Sequence, residues 1–261
     1  MTVNAPENGP GLSIFGRRFR ATELLKTGGG VETFAGLDEA TGARVVIKRV
    51  DETGTPERVR ARLIHEASVL RQLETASFRA PVETGREDGW LYLVRPRIDG
   101  RTLAARIADG PLSIASTLEI GIDLLEALMQ AHDSQVLHRD VKPANVIVAE
   151  DEPIRHASLI DFGLARSPGL EGSIRDDRVG TARYLAPEAS GLLDREVDER
   201  SDLYSLGVVL FECVAGAPPF QGTDVGDVLR QHLNTAAPSL RGLRVEVPRA
   251  LDAMIQRLLR K

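Results

Sequence analysis

Along the first hundred positions, apolar residues fall in short runs broken by glycine and polar turns. Phe19 to Leu25, Val31 to Leu37 and Ala43 to Val50 read as three strands, separated by Gly28-Gly29-Gly30 and by Thr41-Gly42. The period then changes. Val59, Leu63, Ala67, Leu70 and Leu73 recur at helical spacing behind Pro56, a good first-turn residue, which predicts a helix over 56–73. Val82 to Thr84 and Trp90 to Val94 read as two further strands. Beyond Gly100 the pattern is helical. Ser113 to His132 is amphipathic, with Ile114, Leu118, Ile122, Leu125 and Met129 on one face. Asp202 to Val214 is apolar nearly all round and reads as a buried helix, and Val225 to Leu233 and Pro248 to Leu259 complete the set. The class is α+β: a β-rich N-terminal part joins a helix-rich C-terminal part near Ile98-Asp99-Gly100.

Composition narrows the picture by exclusion. The chain has 261 residues, enough for one large domain or two packed lobes. A net charge of −5 gives no bulk attraction to nucleic acid or to an anionic membrane. Cys213 is the single cysteine, so no internal disulfide forms, and a reducing, cytoplasmic setting is expected. No run of about 20 apolar residues is present to span a bilayer. The polar, Pro- and Gly-containing start predicts a disordered tail, taken as residues 1–17.

Chemistry enters with His138-Arg139-Asp140-Val141-Lys142-Pro143-Ala144-Asn145. A carboxylate, an ammonium and an amide oxygen at this spacing supply what phosphoryl transfer needs: Asp140 to accept a hydroxyl proton, Lys142 to offset phosphoryl charge, Asn145 to ligate Mg²⁺. Asp161-Phe162-Gly163 follows a short apolar strand. The stretches Val146 to Ala149 and Ala157 to Ile160 read as a hairpin that sets Asp161, a second metal ligand, beside Asn145. Val45-Val46-Ile47-Lys48 ends a strand in a lysine, and Glu66 in the following helix is available to pair with it. Taken singly, each has a plainer reading: a solvated lysine, an exposed glutamate, a strand-to-turn Asp-x-Gly.

In this order the motifs resemble the eukaryotic-like (Hanks-type) serine/threonine protein kinases of bacteria, from about Arg18 to Lys261. Gly180 to Glu188 is similar to the end of that family's activation segment, and Ser201 to Gly207 to the start of its central helix, with Asp202 bracing the catalytic loop. Lys142 together with Thr181 resembles the Ser/Thr branch. The resemblance implies a two-lobed protein-kinase-like fold, an N-lobe over 18–98 and a C-lobe over 99–261, with ATP in the cleft. It implies ATP and Mg²⁺ (or Mn²⁺) as cofactors and protein substrates carrying Ser or Thr. Lys48, Glu66 and Thr181 join Asp140 and Lys142 as catalytic residues. Gly28, Gly29, Gly30, Val46, Lys48, Pro96, Ile98 and Ile147 meet the nucleotide. The alternatives are a pseudokinase that binds nucleotide or partners without transfer, and a small-molecule kinase.

The sequence departs from the family in several places. Of the three phosphate-loop glycine positions, which fall on Lys26, Gly28 and Val31, only Gly28 matches. Arg95 stands where the family carries an apolar residue at the back of the adenine pocket. It is expected either to compete with Lys48 for Glu66 or to turn outward. The family's arginine partner for Glu188 lies beyond Lys261, so another partner for Glu188, or a longer protein with further domains, is expected. Asp176 and Asp177 are candidates to stand in for an activating phosphate opposite Arg139, with Ser167 and Ser173 as candidate phosphorylation sites.

Overall fold

The computed structural model describes residues 14–73, 77–78, 81–165, 182–193, 195–243 and 246–261. Its packing divides the chain into two compact units, Met1–Arg97 and Ile98–Lys261.

The first unit is an antiparallel sheet with one long helix. Its strands are β1 (Ile14–Phe15), β2 (Phe19–Gly28), β3 (Val31–Asp38), β4 (Arg44–Asp51), β5 (Glu83–Glu87) and β6 (Trp90–Pro96), in the order β1-β2-β3-β4-β6-β5. Helix α1 (Glu57–Gln72) starts after Pro56 and is followed by Leu73 at its C-cap, close to the limits its spacing predicts. The two-residue side-chain period of the strands sorts the core into two clusters. Phe19, Phe34, Val45, Ile47, Tyr92 and Val94 fill one; Val50, Leu91 and Leu93 meet Val59, Leu63 and Ala67 of α1 in the other. That same alternation puts Lys48 on the α1 side of β4. The sheet begins earlier than expected. Within the stretch 1–17 read as a tail, Ile14–Phe15 pairs with β2, because Phe15 is buried and its ring packs 5.5 Å from that of Tyr92.

The second unit holds a small antiparallel sheet, β7 (Arg101–Thr102), β8 (Val146–Val148) and β9 (Ala157–Leu159), together with helices α2 (Leu103–Ala108), α3 (Ile114–Asp133), α4 (Glu199–Ala215), α5 (Val225–Asn234), α6 (Leu240–Leu243) and α7 (Arg249–Leu258).

 Strand β9 runs from Ala157 to Leu159 and pairs with β8, which pairs in turn with β7. Ser113, Asp198 and Asp224 cap the N-termini of α3, α4 and α5 by accepting backbone N–H groups. Helix α4 is buried on nearly every side, as its apolar composition predicts. Its neighbours come close where side chains are small: a Cβ added at Gly207 would lie 2.7 Å from Leu258, and one added at Gly121 of α3 would lie 3.4 Å from Leu210.

Helix α3 corrects the sequence reading. The face carrying Leu118, Ile122, Leu125 and Met129 is exposed, and the buried face is Ser116, Thr117, Ile120, Gly121, Leu124, Ala127, Leu128 and Ala131. Small residues let α3 approach α4 closely, and they barely register in a search for large apolar side chains.

Candidate active site

In the second unit the loop 138–145 is shaped from beneath by Asp202. Its Oδ2 accepts from the His138 N–H and its Oδ1 from the Arg139 N–H, both at 2.8 Å, and His132 Nε2 donates to Oδ2 at 2.9 Å. Asp202 therefore compensates two backbone donors that would otherwise be buried unpaired. His132, at the end of α3, is a part of this brace that the sequence reading missed; only its place in a helix's last turn hints at it.

His138 is fully buried and locks the next turn. Its Nδ1 accepts from the Asp140 N–H at 3.2 Å, and its Nε2 faces the Ile160 carbonyl at 3.3 Å. A carbonyl can only accept, so Nε2 carries the proton. The ring also meets Phe162 edge-on at 4.6 Å. Arg139 and Asp161 both hold positive φ, 63° and 73°, conformations that cost a side-chain-bearing residue roughly 1–2 kcal/mol. The Arg139 Nε is buried and has no hydrogen-bond partner among the described residues.

Asp140 sits at the centre. Lys142 Nζ lies 2.8 Å from Oδ1, and Asn145 Nδ2 donates to Oδ2 at 2.7 Å and to the Asp140 carbonyl at 2.9 Å. Burial raises the Asp140 pKa above the ordinary carboxylate value, Lys142 pulls it back, and the charge of Asp161 pushes it up again. The hairpin explains why Asp161 is near: Val146 pairs with Leu159, and the Ile160 N–H donates to the Asn145 carbonyl at 2.8 Å. The hairpin follows the sequence reading, and the structure adds its register.

These donors suit a hard divalent ion. The Asn145 amide nitrogen is occupied by Asp140, which leaves Oδ1 as its acceptor, and Asp161 adds a carboxylate. No cluster of three His, Cys, Asp or Glu with metal-ligating geometry occurs among the described residues. An amide oxygen and a carboxylate are hard oxygen donors, which suit Mg²⁺.

In the first unit Lys48 Nζ meets both carboxylate oxygens of Glu66 at 2.8 Å, and both residues are buried. Arg95, opposite Val46 on β6, shares a sheet face with Lys48 but does not displace it from Glu66. It does not turn fully outward either: it is half-buried, and its Nε is buried without a hydrogen-bond partner among the described residues. Gly28 pairs with Val31, so Gly29 and Gly30, at φ 59° and 80°, form the two-residue turn of a tight hairpin. Lys26 lies on β2 opposite Thr33. Val46 is buried in β4, Pro96 ends β6, and Ile147 on β8 pairs with Ser158 and Thr102; Ile98 opens the second unit. Thr181, Gly180, Asp176, Asp177, Ser167 and Ser173 lie outside the described residues.

The segment 183–188 is tied down by side chains from two helices. Ser205 Oγ donates to the Tyr184 carbonyl at 2.7 Å, the Tyr184 hydroxyl donates to Glu212 at 2.7 Å, and Ser201 donates to Glu188. Glu188 thus finds a partner within the chain. Burial raises the pKa of Glu212. His232 of α5 supplies the fourth tie: Nδ1 accepts from the Tyr204 hydroxyl at 2.8 Å and Nε2 donates to the Arg183 carbonyl at 3.0 Å. Burial lowers its pKa from 6.5 to about 4. Because the folded value is the lower one, the unfolded chain binds the proton first as pH falls. This contribution is complete above about pH 6.5 and is lost between there and about pH 4. We expect roughly 2 kcal/mol of stability to disappear between about pH 7.5 and pH 5, and His232→Gln to flatten that part of the profile, as read by denaturant melts.

A sheet carrying a buried Lys–Glu pair, and a second unit presenting Asp140, Asn145 and Asp161 over a buried helix, define a protein kinase domain. The sequence profile of the protein kinase domain family matches residues 19–261, and the chain belongs to that family. It is 34% identical over 230 residues to the probable serine/threonine-protein kinase PknB of Corynebacterium glutamicum, covering 84% of this chain and 35% of the relative. It is also 34% identical over 242 residues to the serine/threonine-protein kinase PknE of Mycobacterium tuberculosis, covering 92% of this chain and 42% of the relative. The chain thus spans well under half the length of these curated relatives. Protein kinases use ATP with a divalent metal ion and act on protein substrates. Among the described residues no helix is long and apolar enough to cross a membrane.

Proposed function

We propose that this domain transfers the γ-phosphate of ATP to serine or threonine hydroxyls of proteins. The observation that carries the reading is the Asp140 carboxylate, fixed by Lys142 and Asn145 on a loop braced by Asp202. Each carboxylate oxygen has a second lone pair, so one remains for a substrate hydroxyl. The raised pKa makes Asp140 a better proton acceptor than a solvated carboxylate. The substrate oxygen bonds to the γ-phosphorus, the bond from that phosphorus to the β–γ bridging oxygen breaks, and ADP leaves. The hydroxyl proton passes to Asp140, and Lys142 offsets phosphoryl charge. Asn145 and Asp161 would hold the metal. When bound, it would offset the negative charge of the phosphates.

Lys48, steadied by Glu66, would meet the α and β phosphates. Gly28, Gly29 and Gly30 would approach them with backbone N–H groups, and Val46, Pro96, Ile98 and Ile147 would meet the adenine. Pro96 can offer only its carbonyl. These assignments go with an N-lobe over 18–98 and a C-lobe over 99–261, with Thr181 as a further catalytic residue. The single buried cysteine, Cys213, fits a cytoplasmic setting. Incubation with γ-labelled ATP and Mg²⁺, alone and with a generic basic protein, tests the reading. Label on serine and threonine is expected. Nucleotide binding without label on any protein would favour a pseudokinase instead.

A further inference from the structure

Helix α3 buries one face and carries a row of exposed apolar residues on another. On the other, Leu118, Ile122, Leu125 and Met129 are 43%, 51%, 36% and 56% exposed. With exposed Ala115 they recur at alternating intervals of three and four residues. On a helix that alternation draws a narrow stripe nearly parallel to the axis, the pattern of a seam between two helices. The stripe from Ala115 to Met129 is about 21 Å long at 1.5 Å per residue. Its two edges differ. One closes onto the core, where Gly121 faces Leu210 and His132 holds Asp202. The other carries Glu119, Glu126 and Asp133, seven residues apart and all exposed. None of these three is in an ion pair among the described residues.

We propose that this face of α3 docks an amphipathic helix of a partner protein whose flank carries Lys or Arg. The apolar spacing calls for a helix, because only a second helix offers holes at the same interval. The acidic edge sets the sign of that helix's flank. A second copy of this chain suits the face poorly. In an antiparallel two-fold pairing the same patch meets itself, and acid would face acid. An anionic lipid surface is repelled by the same edge.

The test uses two synthetic peptides of about three heptads, each with Leu at both seam positions and either Lys or Glu at the flanking positions. Fluorescence anisotropy with the intact chain is expected to show the Lys peptide binding at least about tenfold more tightly than the Glu peptide, with the difference shrinking as salt is added. Leu118→Gln/Ile122→Gln should abolish binding without lowering the melting temperature, since both side chains are exposed. Glu119→Lys/Glu126→Lys should reverse the preference between the peptides. Equal binding of the two peptides, binding of neither, or binding indifferent to the Leu118 and Ile122 substitutions overturns the proposal. A concentration-dependent dimer that Ile122→Gln dissolves, seen by sedimentation, also overturns it in favour of a second copy.

Discussion

Asp140→Asn is expected to leave the domain folded and to lower phosphate transfer by about 10²- to 10⁴-fold. The amide cannot take the hydroxyl proton. It also turns a donor toward either Lys142 or Asn145, both of which already donate to this side chain. That conflict should cost about 1–2 kcal/mol, a small penalty beside the loss of transfer. Nucleotide affinity, measured by calorimetry, should change little. Label transfer at saturating ATP separates the two effects, and retention of more than about a tenth of the parent rate would remove Asp140 as the base.

The second large effect lies in the other unit. Lys48→Met strands the Glu66 carboxylate in a site where it is 2% exposed, and is expected to destabilise the domain by about 3–5 kcal/mol. Adding Glu66→Leu removes the stranded charge and should recover most of that loss, because the neighbours Val59, Leu63 and Ala67 are apolar. The double variant should be nearly as stable as the parent and still inactive. Denaturant melts of both single variants and the double variant give the coupling, expected at about 2 kcal/mol or more. Additive losses would mean the pair is not a unit, and recovered activity would mean Lys48 is not needed for transfer.

Much of this was legible in the sequence, for identifiable reasons. Strands β2 to β4 show as short apolar runs between glycine and polar turns, and helix α1 buries Val59, Leu63, Ala67 and Leu70 at helical spacing, so their positions followed from the sequence. The pairing of Lys48 with Glu66 followed from the motif, and the sheet alternation explains why it works. The inward face of α3 was not legible, because it is built largely from Ser, Thr, Gly and Ala. Strand β1 escaped because two residues make no pattern; Phe15 earns its place through contact with Tyr92, far along the chain. His132 and His232 act through partners 70 and 28 residues away, and no local spacing points to either. Arg95 was legible as an anomaly but its placement was not: neither rivalry for Glu66 nor full exposure describes a side chain held half-buried beside an intact ion pair.

The ties on segment 183–188 bear on how that segment opens. It has little regular structure of its own, yet Ser201, Ser205 and Glu212 of α4 and His232 of α5 hold its backbone and side chains. A loop held this way takes its opening free energy from the helices that hold it. Its amide protons should therefore exchange with solvent on the slow timescale of α4, as part of one cooperative unit, while the exposed turn at Gly29-Gly30 exchanges by local fluctuation.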